Sequence, residues 1–321
     1  MGVALCVGVN YYENANCLDQ CIDDACSVAN ALARHGDNSK NFDVACCLAE
    51  DERSAITRAQ LRQCLENLFQ TQTDTVVFYF SGHGAVDAYG GYLCTSEVDD
   101  VHDGLSMDVL MQMVERSPAI NKIIILDSCH SGTLGDMSTR GEMAGFCKLP
   151  PNTVIMAACT AKKVAYEGVF TPLLVDALMG GAMNLVGEVT PGGVYSYVDR
   201  AMGVWYQRPV FKSNVQNFVS LRKNKPPIDL SQLQLITDLF EKPDQLFALD
   251  PSYEEDKRDV EDKTHNILHE QIFKILRKYA SLNLVVPVGT EYMYHAAVES
   301  RACKLTALGR YYWNLVDDNR I

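Results

Sequence analysis

Two kinds of apolar pattern alternate along the chain. Unbroken apolar runs occur at VALCVGVN (3–10), FDVACCL (42–48), TVVFYF (75–80), KIIILD (122–127) and TVIMAAC (153–159), with QNFVSLR (216–222) as a weaker last case. Between them, apolar residues recur every three or four positions. Asp19 to Arg34 reads as a helix closed by Gly36. Thr57-Arg-Ala-Gln60 has the form of a capping box, and Leu61, Cys64, Leu65, Leu68 and Phe69 follow at helical spacing. Ser106 is placed to cap MDVLMQMVER, and Phe170 to Asn184 and Tyr197 to Trp205 read as two further helices. Continuous apolar strands mean burial on both faces, and helices between them supply the cover. The pattern predicts an α/β fold with a largely parallel six-stranded sheet flanked by helices.

The pattern changes after Arg222. KNKPPIDL (223–230) carries two prolines and suits a linker, and DPSYEEDKRDVEDKTH (250–265) is almost wholly polar. ILHEQIFKILRKYASL then reads as a helix, LVVPV as a strand, Tyr292 to Leu305 as one or two strands, and LTALGRYYWNLV as a helix capped by Thr306. The expected division is a first domain over 1–222, a linker and charged segment over 223–265, and an accessory domain over 266–321. Helix, strand, strand, helix is an order that winged-helix modules show. A small α+β lobe fits it equally well.

A chain of 321 residues with 47% hydrophobic content can bury one large core and a second, smaller one. The formal net charge is −13 and there is no Lys/Arg tract, so nucleic acid is not an expected partner. No apolar run is long enough to cross a bilayer, and MGVALCVGVN lacks the basic start of a leader, so a cytoplasmic location is expected without a membrane. Of the 12 cysteines, several sit inside apparent strands, among them Cys6, Cys46 and Cys47. That is the use of cysteine as a small buried hydrophobe in a reducing compartment. Cys17, Cys21 and Cys26 are spaced as one helix face. With no Cys-x-x-Cys pair, neither zinc nor another cofactor is expected.

Ligands of open parallel sheets bind beyond the carboxyl ends of the strands. After TVVFYF comes SGHG, Ser81 to Gly84, and after KIIILD comes SCHSG. His83 and Cys129 therefore leave the same sheet edge. A thiolate is the attacking form of cysteine and needs a base nearby, which a histidine can be. Gly82 and Gly84 would let the backbone turn sharply and approach a substrate. The N–H groups of Gly84 and Cys129 are candidates for an oxyanion hole. Asp24 and Asp127 fall near the same edge, and two carboxylates there are natural complements to a cation.

YFSGHG followed by IIILDSCHSG resembles the histidine and cysteine boxes of the caspase-like cysteine peptidases, nearest to the metacaspase and bacterial caspase-like branch. CIDDA (21–25) and GVFTPLLVDAL (168–178) are similar to two further segments of that family, and the resemblance spans roughly residues 3 to 222. It implies a caspase-like fold and a cysteine endopeptidase. Cys129 would be its nucleophile and His83 its general acid and base. It implies cleavage after Arg or Lys, with Cys21, Asp24, Ser81 and Asp127 forming the substrate pocket. Many metacaspases use calcium. Asp99, Asp100 and Asp103 are the candidates here, and solvated loop charge is the favoured reading of them. Bacterial relatives imply conditional activation in immunity or cell death, with a regulatory protein engaging the C-terminal domain. The stretch 133–151, with Arg140 and Lys148, is the candidate processing loop. His130, beside Cys129, is expected to pack behind the site. His265, His269 and His295 are expected at the surface, and Tyr279, Tyr311, Tyr312 and Trp313 in a core. The competing readings are an adaptor that keeps the fold and binds partners, and a legumain- or separase-like relative.

Overall fold

In a computed structural model the chain divides into two compact units, Met1–Lys225 and Pro226–Ile321. The structure describes residues 2–87, 90–99, 103–128, 149–158, 168–203, 208–216, 218–255 and 266–321.

The first unit runs β1 (Gly2–Val9), α1 (Cys21–Ala33), β2 (Phe42–Ala49), α2 (Arg58–Gln70), β3 (Thr75–Ser81), β4 (Gly84–Asp87), β5 (Gly90–Leu93), β6 (Leu105–Ser106), α3 (Met107–Arg116), β7 (Asn121–Asp127), β8 (Thr153–Ala157), α4 (Phe170–Asp176), β9 (Glu188–Val189), α5 (Pro191–Met202), β10 (Val210–Asn214) and β11 (Arg222–Lys223). Six of these strands form one sheet in the order β10-β8-β7-β3-β1-β2. All its pairings are parallel except that of β10 with β8. Strands β4, β5 and β6 make a small antiparallel sheet beyond the end of β3.

Alternation along the strands divides the core in two. Val76, Phe78 and Phe80 of β3 pack with Leu61, Leu65 and Phe69 of α2 and Leu110 of α3. Val77 and Tyr79 pack on the opposite face with Val28 and Leu32 of α1, Phe170 and Leu174 of α4 and Val198 of α5. Full burial of each such side chain contributes about 1.5–3 kcal/mol. The helices start where their caps stand. Thr57 and Gln60 form the reciprocal capping box, and Ser106 accepts the Asp108 N–H.

Three elements and one cysteine of this unit depart from the sequence expectation. The last sheet strand is β10, not 216–222. As an edge strand β10 is only half-buried and lacks a continuous apolar run, whereas Leu221 and Arg222 are buried outside the large sheet. There the Arg222 guanidinium donates to the Ala31 carbonyl at 2.7 Å. Helix α5 begins six residues early, at Pro191, where Thr190 accepts the Gly193 N–H and proline suits the first turn. The glycine pair behind that proline hides the start. The helix at Phe170 ends at Asp176 and passes into one π-turn over Ala177–Gly181, in which Gly180 has φ 130°. Cys17 lies in the loop before α1, off the helix face that Cys21 and Cys26 share.

The second unit contains α6 (Leu230–Gln234), α7 (Ile236–Leu239), β12 (Leu246–Ala248), α8 (Ile267–Ser281), β13 (Val285–Val288), α9 (Met293–Val298), β14 (Ala302–Leu305) and α10 (Ala307–Asp317). Its antiparallel sheet has the order β12-β14-β13. Strand β12 pairs with β14, so the part of 223–265 that carries β12 is built into this unit and is not a linker. The proline pair of KNKPPIDL does mark the division. Residues 293–298 are helical because Met293, Ala296 and Ala297 are buried at helical spacing. The two successive strands behind the winged-helix comparison are therefore separated by a helix, and the unit is a small α+β lobe. Tyr279 and Tyr312 are buried as expected, whereas Tyr311 is 56% exposed. The Trp313 indole donates to the Phe240 carbonyl at 2.6 Å. His269 is half-buried, stacked on Tyr253 with 4.1 Å between ring centroids, while His295 stays at the surface.

Candidate active site

The parallel register fixes which residues meet at the carboxyl edge. Ser81, last in β3, pairs with Asp127, last in β7, and the Gly82 N–H donates to the Asp127 carbonyl at 3.3 Å. His83 follows two residues beyond Ser81. Cys129 is two residues beyond Asp127 in the sequence and lies outside the described residues, as do His130, Arg140, Lys148, His265 and Asp100.

His83 is held from three sides. The loop between β1 and α1 is closed by Asn10, whose side chain accepts the Cys21 N–H at 2.9 Å and whose carbonyl accepts the Leu18 N–H at 2.8 Å. Two residues of this loop reach the histidine. The Tyr12 hydroxyl accepts the His83 backbone N–H at 2.7 Å, and the two rings stand 4.6 Å apart. The Asn16 carbonyl lies 2.7 Å from Nε2 of His83. A carbonyl can only accept, so Nε2 carries hydrogen, and in the neutral ring Nδ1 is the basic nitrogen. The Cys94 N–H donates to the His83 carbonyl at 3.0 Å, continuing the β4–β5 ladder. In antiparallel alternation the next pair, Gly84 and Leu93, is the wide one, which turns the Gly84 N–H away from Leu93.

Gly82 is required by proximity and not by a sharp turn: a Cβ there would stand 2.7 Å from the Tyr12 hydroxyl. Gly84 opens strand β4 and lies outside the positive-φ glycines. Gly168 needs its left-handed backbone, with φ 71°.

Two carboxylates face the same hollow. Asp24 lies in the first turn of α1, and Ser81 Oγ donates to its Oδ2 at 3.3 Å. Burial raises its pKa to about 6; the Ser81 bond opposes that rise and the neighbouring charge of Asp23 adds to it. Asp127 accepts at Oδ2 from the Thr171 hydroxyl at 2.7 Å, and the Tyr79 hydroxyl lies 2.6 Å from that same Thr171 oxygen. One cavity is lined by Cys21, Asp24, Ser81, His83 and Asp127, together with Leu18, Gln20, Gly82, Ser128 and Gly168. The structure thus brings together every described residue expected in the substrate pocket, and His83 with them.

Sequence reasoning missed Tyr12, Asn16, Tyr79 and Thr171. Asn16 acts through its carbonyl, which no residue type betrays. Tyr79 did carry a signal, since a hydroxyl inside the fully buried run TVVFYF must find a partner. Away from the cavity, Asp103 Oδ2 accepts the Asp99 N–H at 3.3 Å. Among the described residues no three His, Cys, Asp or Glu side chains converge as a metal site. Of the three calcium candidates, Asp100 lies outside the described residues.

The Caspase domain of peptidase family C14 matches residues 1–215. Metacaspase-1 of Cryptococcus neoformans is 30% identical over 160 residues, covering 46% of this chain and 35% of the relative. Metacaspase-1 of Debaryomyces hansenii is 33% identical over 162 residues, covering 46% and 36%. The match thus spans about a third of the length of these curated relatives. Among solved structures, caspase-1 from Spodoptera frugiperda is similar with a TM-score of 0.52, over 70% of this chain and 90% of that one, at 11% identity. That likeness concerns the fold alone. Among the described residues no helix is long and apolar enough to cross a membrane.

Proposed function

This chain belongs to the caspase-domain family, and we propose that it is a cysteine endopeptidase that cuts proteins after Arg or Lys. The observation that carries the reading is the single cavity that joins His83 to the carboxylates of Asp24 and Asp127, with Ser128, the residue before Cys129, in its wall.

In this reading the Cys129 thiolate attacks the carbonyl carbon of the scissile bond. His83 takes the thiol proton at Nδ1 and returns it to the leaving amine, and water then hydrolyses the acyl-enzyme. The register supports the pairing, because His83 and Cys129 follow partnered residues by the same interval. The Asn16 carbonyl keeps the hydrogen on Nε2 and so keeps Nδ1 available. The Gly84 N–H, turned out of the β4–β5 ladder, and the Cys129 N–H would receive the oxyanion. Asp24 and Asp127 would take the substrate cation. Arginine fits best, since its planar fork pairs with a carboxylate through two bonds.

We place the protein in the cytoplasm, as a protease switched on under defined conditions in immunity or cell death of bacterial type. Its regulator would engage the second unit. The test is a peptide library digested with and without calcium, its cuts located by mass spectrometry. Cuts after Arg and Lys that vanish in Cys129→Ala are expected. Cuts after Asp, or the same cuts from Cys129→Ala, would overturn the reading.

A further inference from the structure

We propose that Tyr79 and Thr171 form a positioning relay that fixes the Asp127 carboxylate for the incoming substrate cation. The inference rests on the reading that Asp127 faces that cation.

The direction of the relay follows from counting protons. An ionised carboxylate only accepts, so the Thr171 hydroxyl, 2.7 Å from Asp127 Oδ2, donates to it. A hydroxyl has one proton to give. The Tyr79 hydroxyl, 2.6 Å from the same Thr171 oxygen, must therefore donate to Thr171. Tyr79 is fully buried, and burial together with the charges of Asp127 and Asp24 raises its pKa well above the ordinary value. It remains a protonated donor at any pH at which the enzyme would work. Ser81, a neighbour of the Tyr79 hydroxyl, gives its own proton to Asp24. One buried phenol thus stands between the two acidic arms.

The chemistry of these donors matters for recognition. A lysine or arginine beside Asp127 would orient the carboxylate and also cancel the charge that a substrate needs. Hydroxyl donors orient a carboxylate without themselves cancelling its charge. Fixing one oxygen also sets the carboxylate plane, which a guanidinium fork reads and an ammonium does not. Tyr79 and Thr171 are accordingly positioning residues that favour arginine over lysine.

The test uses the full chain and fluorogenic peptides ending in Arg, Lys or norleucine, with Tyr79→Phe, Thr171→Val, Thr171→Ser and Asp127→Asn. Thr171→Val should lower kcat/KM for the arginyl peptide about 10- to 100-fold and Tyr79→Phe about 3- to 10-fold, matching a hydrogen bond to a charged group and one between neutral groups. The loss should fall on KM, reduce the Arg/Lys ratio and spare the norleucine peptide. Thr171→Ser should recover most of the arginyl activity. Alkylation of Cys129 by iodoacetamide should keep its rate in Tyr79→Phe and Thr171→Val, as a check that the nucleophile is undisturbed. If Asp127→Asn weakens arginyl turnover while Tyr79→Phe and Thr171→Val do not, the relay is wrong and the pocket reading stands. If Asp127→Asn leaves arginyl preference intact, the pocket reading fails and takes the relay with it. A Thr171→Val enzyme that loses all three substrates equally would show a merely structural role.

Discussion

Asp24 is pulled in two directions. The N-terminus of α1 and the Ser81 hydroxyl favour its charged form, while burial and Asp23 disfavour it. Burial wins, and the folded pKa rises from 3.8 to about 6. The folded state thus holds this proton more tightly than the unfolded chain, so stability is lost as pH rises from about 4 to about 6. Asp24→Asn should therefore stabilise the free protein at pH 7, by about 1 kcal/mol once the solvent reaching this half-buried group is allowed for. The gain should vanish below about pH 4. Thermal melts of both proteins across this range decide it; equal melting temperatures at pH 7 would remove the conflict. In the proposed reading a substrate guanidinium would give the carboxylate a cationic partner. For arginyl peptides kcat/KM should accordingly fall as pH drops through about 6, while a neutral peptide is affected far less. If Cys129 and His83 act as one unit, either substitution alone removes most of what both supply. Cys129→Ala and His83→Ala should each lower turnover by orders of magnitude, and the double variant should be little worse than one. Near-normal activity in Cys129→Ala, or a larger loss in His130→Ala than in His83→Ala, would displace the pair.

At the scale of elements, the site depends on what happens at strand ends. Buried parallel strands must be apolar along their length, so β1, β3, β7 and β8 were legible, and with them the edge at which Ser81, His83 and Asp127 meet. Strand β10 was not, because an edge strand with one exposed face does not need that pattern. The start of α5 was hidden because its cap uses Thr190 and a proline followed by two glycines, which read as a turn. The histidine platform was illegible for another reason. It is a loop whose value lies in a carbonyl and a closure, and sequence pattern reports side chains. Gly168 links the loop to α4: its backbone is left-handed, and a Cβ would stand 2.4 Å from Gln20 Oε1. The glutamine can swing away, but the backbone cannot. Gly168→Ala should therefore destabilise by about 1 kcal/mol and weaken arginyl turnover through the cavity wall. Melting and kinetics as stable as those of the parent would show that the turn tolerates a side chain. The stretch 133–151 carries the remaining expectation at this scale. If it is a processing loop, intact-mass measurement after prolonged incubation should show cuts at Arg140 or Lys148, and Arg140→Ala with Lys148→Ala should slow the onset of activity. An uncut, fully active double variant would leave 133–151 as ordinary surface.

For the whole molecule, the division at Lys225 and Pro226 separates chemistry from whatever the second unit contributes. The first unit has its own two-faced core around six strands and holds every described cavity residue. The family match, over residues 1–215, stops ten residues short of that division. In the second unit Phe273, Leu276, Tyr279, Leu284 and Val285 are buried. Its three strands pair only with one another. A unit that is compact by itself and pairs its described strands with one another meets the conditions for folding alone. Residues 1–225, expressed by themselves, should therefore fold cooperatively and cleave the arginyl peptide with the same kcat/KM as the full chain under activating conditions. What the truncation should change is the requirement for activation, if the second unit is where regulation enters. A truncated protein more active than the full chain before activation would mark the second unit as a restraint, and one that no longer responds to the trigger would mark it as the sensor. Aggregation of 1–225, or a folded but inert 1–225, would show instead that the peptidase unit is incomplete without residues 226–321.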